Sequence, residues 1–194
     1  MMSLRRPTRE QIARLIAAER DAPFTYPEVG ASLGTLPSHG YANDEYGVVL
    51  GQGQPCFVRA TAALERFANY PSAWARIQSD GDGSPREGLV FVAQIDHYGF
   101  HSLNGCRVIA VIRDDATLQR YGFAFGTLPS HEERGEESFV VSFDPASGEV
   151  RYDVRAFSRP RGALARLAAP IARALQRRFQ HDTCDAMREA AQAG

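Results

Sequence analysis

Three cysteines, Cys56, Cys106 and Cys184, are all that this 194-residue chain contains. An odd number with no CxxC pair excludes a disulfide framework and points to reduced thiols. Cys184 and His181 stand three residues apart, but two ligands do not make a structural zinc site. Charge of one sign is also lacking. The 22 basic and 23 acidic side chains leave a net charge of −1, so nucleic acid is not an expected partner. No run approaches the roughly 18 apolar residues of a membrane helix. The opening MMSLRRPTRE lacks the apolar stretch of a secretory leader, and a cytoplasmic protein without a membrane span is expected. GxxxxGK followed by Ser or Thr, HExxH and GxSxG are all absent. GQGQP, at Gly51–Pro55, lacks the third glycine and the βαβ setting of a dinucleotide turn. No cofactor and no metal are expected; His97, His101 and Asp96 form only a thin metal alternative.

What is present is an ordinary globular composition, 44% hydrophobic and 23% charged, in a length that suits one domain with an unstapled core. PTREQIARLIAAERD opens with a start signal at Pro7 and Thr8. Its apolar residues Ile12, Leu15 and Ile16 share a helical face. Prolines and glycines then crowd the chain as far as Glu45 and predict a long ordered loop, pinned by Phe24, Tyr26 and Tyr41. YGVVLGQG reads as a strand. The helix after it places Phe57, Ala60, Leu64 and Phe67 on one face and runs towards Pro71. WARIQS, GLVFVAQIDHYGF, CRVIAVIRDD and LQRYGFAFGTL read as strands, with HSLNG a turn between two of them. ESFVVSFDPASGEVRYDVRAFS is a hairpin around DPASGE.

The closing RGALARLAAPIARALQRRFQHDTCDAMREAAQ is amphipathic. Leu164, Leu167, Ile171, Leu175, Phe179 and Met187 lie near one face, a kink or a junction of two helices is expected at Pro170, and the arginines form a solvated face, with an anionic-membrane or RNA-binding face as the alternative. Successive hairpins build an antiparallel sheet. The predicted fold is therefore α+β: a curved antiparallel sheet gripping a long C-terminal helix, the helix-grip plan. Residues 1–43 supply a helix and a Pro/Gly-rich loop packed on a helix-grip unit of residues 44–194, one structural domain in all.

GTLPSH occurs twice, at Gly34–His39 and Gly126–His131. The flanking segments do not match, so the recurrence is turn chemistry and not duplication. The second copy sits in YGFAFGTLPSHEERGEESFVV. There it gathers Thr127, Ser130, His131, Glu132, Glu133, Glu136 and Glu137.

That segment, with FTYPEVGAS and AFSRPRGALARLAAPIARALQRR, resembles the DUF1990 family, also called UPF0548. The resemblance runs from about Phe24 into the last helix and includes the CRV strand at Cys106–Val108 and the SRP at Ser158–Pro160. Phe125 stands where the family pattern has Tyr, and SHEE replaces GHPE. The resemblance implies no established reaction. The family's strand order is similar to that of the START and birch-pollen-allergen superfamily, which implies an apolar cavity between sheet and helix.

The expected function is binding of a small hydrophobic or amphipathic ligand in that cavity. Thr127, His131, Arg107, Arg155, Tyr121 and Trp74 are the candidate contacts. Alternation leaves open which sheet face carries Arg107 and Arg155. One alternative is an acid/base enzyme, cyclase- or hydrolase-like, using His131 and Glu136. Another is a stress-related interaction module with a filled interior. A monomer or a homodimer fits equally.

Overall fold

Period-two alternation along a strand buries one face only, yet VFVAQ at residues 90–94 is buried without a break. A strand of that kind must be covered from both sides, and the architecture of this chain covers it. The computed structural model describes residues 2–80, 83–97, 99–115, 117–161 and 169–193. In chain order the elements are β1 (Met2–Ser3), α1 (Arg9–Glu19), β2 (Ala42–Gln52), α2 (Gln54–Leu64), β3 (Ala75–Ser79), β4 (Val90–Asp96), β5 (His101–Asp114), β6 (Gln119–Thr127), β7 (Glu133–Phe143), β8 (Glu149–Pro160) and α3 (Ala169–Gln192).

The sheet is antiparallel throughout, in the order β2-β8-β7-β6-β5-β4-β3, and β1 adds a short pairing to β5. Register shifts at Val49/Gly51 and Val108/Ala110 break the ladders of β2 and β5. Such bulges bend strands and increase twist, which gives the sheet a concave side. There Phe91, Phe123, Phe139 and Tyr152 are fully buried against Ala60 and Leu64 of α2 and Met187 of α3. The convex side carries a second core, in which Ile12 and Ile16 of α1 pack on Val90, Val92, Leu103 and Leu128. A capping box fixes the start of α1: Thr8 accepts from the Gln11 amide while the Gln11 side chain accepts from Thr8, satisfying two otherwise orphaned donors.

All 22 basic residues are arginine. Some of their guanidinium groups lie over rings, as Arg107 does over Phe24 and Arg178 over Trp74, where the planar group can add stacking to the cation–π attraction.

Two local expectations are corrected. The second helix stops at Leu64, well before Pro71, because Phe67 adopts φ 54° and the Ala68 amide closes back on Ala63 O at 2.9 Å. This left-handed cap turns the Phe67 ring onto Phe91 and Phe123. HSLNG is part of β5 and not a turn. Its turn-forming side chains are occupied within the sheet, where Asn104 donates to Ala93 O and to Ser102 Oγ. The kink expected at Pro170 borders residues 162–168, which lie outside the described residues. Leu164 and Leu167, expected on the helix face, lie outside the described residues. Among the described residues, no helix is long and apolar enough to cross a membrane.

Candidate functional site

The GTLPSHEERGEE segment joins β6 to β7, and several of its polar residues have distinct tasks. The Leu128 amide donates to Gly105 O at 2.9 Å, and the His131 amide to Leu128 O at 3.0 Å, which closes the turn. Ser130 docks that turn on α1. Its amide and hydroxyl donate to the two Glu19 carboxylate oxygens at 2.6 and 2.9 Å, and its Oγ accepts from the Gly105 amide. Gly105 permits this approach, since a Cβ there would lie 1.7 Å from Glu19 Oε2. Thr127 Oγ1 lies 2.6 Å from Thr25 Oγ1 and accepts from the Gly135 amide.

Next come Glu136 and Glu137. The Glu136 carboxylate turns to the convex side and accepts four hydrogen bonds: from Tyr26 Oη, the Gly30 amide, and the amide and hydroxyl of Ser32. Gly30 takes φ 91°, which aims its amide at the carboxylate. The TYPEVG stretch is thus a cradle for one glutamate.

Glu137 faces the concave side. It helps line a cavity of about 340 Å³ between the sheet and the first half of α3. The wall is aromatic and aliphatic, with Tyr46, Tyr70, Trp74, Phe125 and Phe179 prominent. Trp74 is held by a 2.7 Å bond from Nε1 to Asp182 on α3. Burial pushes the Glu137 carboxyl up to about 8, with help from the nearby Glu133 and Asp44 charges. Those two acids are engaged: Asp44 with Arg173 at 2.8 Å, and Glu133 with Gln176 at 2.8 and 3.0 Å. Glu137 has no hydrogen-bond or ion-pair partner among the described residues.

The fully enclosed Tyr46 hydroxyl likewise has none. Tyr70, 8% exposed, makes no side-chain hydrogen bond among the described residues either. Burial, then the Glu137 charge, raises both phenols well above their ordinary range. A polar group left unpaired in a protein interior costs about 1–3 kcal/mol, so Glu137 and Tyr70 on one wall, without partners among the described residues, single out the place where a guest would be rewarded.

The sequence candidates divide sharply. Thr127, His131 and Trp74 line the cavity. Tyr121 does not; it is buried with its ring under Arg113. Arg107 and Arg155 are on the convex side. Arg107 donates to the carbonyls of Glu19 and Arg20 at the end of α1, and Arg155 to those of Ser32 and Gly34 and to Glu45. Alternation sends them opposite to Cys106 and Ala156, which line the cavity.

His131 and Glu136 form no acid/base pair. The His131 Nδ1 accepts from the Glu133 amide, and burial, with Arg161 nearby, pushes the imidazole down to about 4, while the Glu136 carboxylate is spent on the loop. His101 and Arg76 both bind Asp96, and His97 pairs with Ser102. No group of three metal-ligating side chains occurs among the described residues.

Sequence reasoning missed Glu137, Tyr46 and Tyr70. One signal was available: Glu137 is two residues before Phe139, a core residue, and so shares its face.

Residues 25–186 match the family described as Domain of unknown function (DUF1990). A UPF0548 protein of Deinococcus radiodurans is 34% identical over 189 residues, covering 92% of each chain. This chain belongs to the DUF1990 family. The DUF1990 chain also shares its fold with two solved structures. One is the Zhui aromatase/cyclase of Streptomyces sp. R1128, with TM-score 0.55 and 14% identity over 79% of this chain and 94% of that one. The other is Ara h 8.0201, with TM-score 0.51 and 16% identity over 80% and 100%. At these identities the likeness is one of fold, and the fold is the helix grip.

Proposed function

We propose that this DUF1990 protein binds a small hydrophobic or amphipathic molecule between its sheet and α3. One observation carries the reading: a cavity of about 340 Å³ whose wall is mostly apolar in area and on which, among several partnered polar groups, Glu137 and Tyr70 lack partners among the described residues. Apolar surface with a few placed polar groups is the usual make-up of a small-molecule site. The charged side chains on the wall are acids, which argues against an anionic ligand. An interaction module was expected to have a filled interior, and the open volume weighs against it. Three unbridged cysteines fit a reducing, cytoplasmic setting.

A catalytic reading draws on Glu137, whose carboxyl titrates near neutral pH as a general acid should, and on the aromatase/cyclase that shares the fold. Glu137 takes the place that the sequence offered to Glu136.

The test is native mass spectrometry of gently purified protein, paired with NMR titration of apolar aromatic probes. A bound small molecule, or shifts confined to residues around Trp74 and Phe179, is the expected result. Ala156→Leu, which fills the cavity from β8, should abolish both while the fold persists. Binding that survives Ala156→Leu would move the site elsewhere.

A further inference from the structure

We infer that the ligand carries an uncharged hydrogen-bond-accepting head, a carbonyl group on an apolar body, and that Glu137 and Tyr70 receive it as proton donors. The inference rests on the cavity-binding reading above and specifies its ligand class. Tyr70 follows α2 and Glu137 is on β7, so separate parts of the chain bring to one wall two polar groups that have no partner among the described residues. Tyr70 is more than nine-tenths buried, whereas the Tyr46 hydroxyl is enclosed and out of a ligand's reach.

A phenol donates its proton, and so does a carboxyl in its acid form. The groups around Glu137 keep it in that form. Glu133 on its own strand and Asp44 on β2 repel a negative charge there. Arg173 of α3 is committed to Asp44, and Gln176 to Glu133. Tyr70, Tyr152 and Cys106, all buried, respond to Glu137 only through repulsion of their own ionised forms. His131 at the turn is uncharged at neutral pH. A ligand carboxylate would meet acids and no free cation among these groups. A carbonyl oxygen, with two lone pairs and no charge to desolvate, fits donors in an apolar wall.

The experiment uses four probes of nearly one shape: 2-acetylnaphthalene, 2-ethylnaphthalene, naphth-2-ylmethylammonium and 2-naphthoate. Each is titrated by NMR into the full chain at pH 6.5 and pH 9.5. The expected result is that the ketone binds about tenfold tighter than the ethyl compound at pH 6.5, the gain of roughly one good hydrogen bond. The preference should shrink at pH 9.5, when Glu137 has ionised. Glu137→Gln, whose amide is a donor that does not titrate, should keep a preference that no longer varies with pH. Glu137→Leu should reduce the preference, Glu137→Leu with Tyr70→Phe should lose it, and both should still bind 2-ethylnaphthalene.

Equal affinity for ketone and ethyl probe at pH 6.5 would overturn the inference. So would tightest binding by the ammonium with affinity rising above pH 8, which would make Glu137 a counter-ion. Tightest binding by naphthoate would overturn it as well. If 2-ethylnaphthalene and the other three all fail to shift cavity resonances, the cavity-binding reading itself falls, and the inference falls with it.

Discussion

Glu136 and Glu137 are consecutive on β7 and serve opposite sides of the sheet. The first anchors the N-terminal loop through four hydrogen bonds; the second enters the cavity with no partner among the described residues. Two side chains of identical chemistry thus acquire unrelated roles because the strand's period is two.

Replacing Glu137 should therefore raise stability at neutral and alkaline pH. Its carboxyl moves from 4.5 to about 8 on folding, so the folded protein holds a proton that the unfolded chain releases. Stability should be greatest with respect to this group below pH 4.5 and decline as pH rises through about 8. Denaturant midpoints of wild type and Glu137→Gln across pH 5–9 check this: the variant's curve should lack the decline.

His131 should act in the opposite direction. Its imidazole drops from 6.5 to about 4, so the unfolded chain takes up a proton that the folded one refuses. Stability attributable to His131 should be intact above pH 6.5 and fall as pH drops towards 4. His131→Asn should remove that acid limb from the same midpoint measurements, leaving the Glu137 limb in place.

Glu136→Ala should cost ~3 kcal/mol, because hydrogen bonds to a charged acceptor are strong and the stranded donors are partly enclosed. Urea unfolding measures the loss. Limited proteolysis should show earlier cutting within residues 24–41, since their anchor is gone. Glu136→Gln should fall between the two.

Gly126→Ala and Gly105→Ala should each destabilise by about 1–3 kcal/mol through overpacking. A Cβ at Gly126 would sit 2.1 Å from Tyr26 Oη and 2.9 Å from Phe24, and one at Gly105 would meet Glu19. Glu19→Ala combined with Gly105→Ala should recover part of the loss, an interaction that a double-mutant cycle reads directly.

Much of this plan was legible from residue order alone. The hairpin ESFVVSFDPASGEVRYDVRAFS became β7 and β8 because its apolar residues alternate and Asp144, Ser147 and Gly148 close the turn. The amphipathic stripe through Phe179 and Met187 required a sheet to bury it. The second GTLPSH turned out to be a turn, as its Gly, Pro and Ser imply.

The long strand β5 was harder, because Asn104 and Gly105 look like turn residues until Ala93 and Glu19 are beside them. Local chemistry therefore determined the elements, their amphipathic faces and the turns between them, since propensity and periodicity act over a few neighbouring residues. Only the tertiary structure decided which side of the sheet was the inside. That choice sent Arg107, Arg155 and Glu136 outward to hold the N-terminal segment, and set Glu137 with Tyr46 and Tyr70 around one cavity. These residues are scattered along the chain, and only the curvature and register of the sheet bring them to one wall.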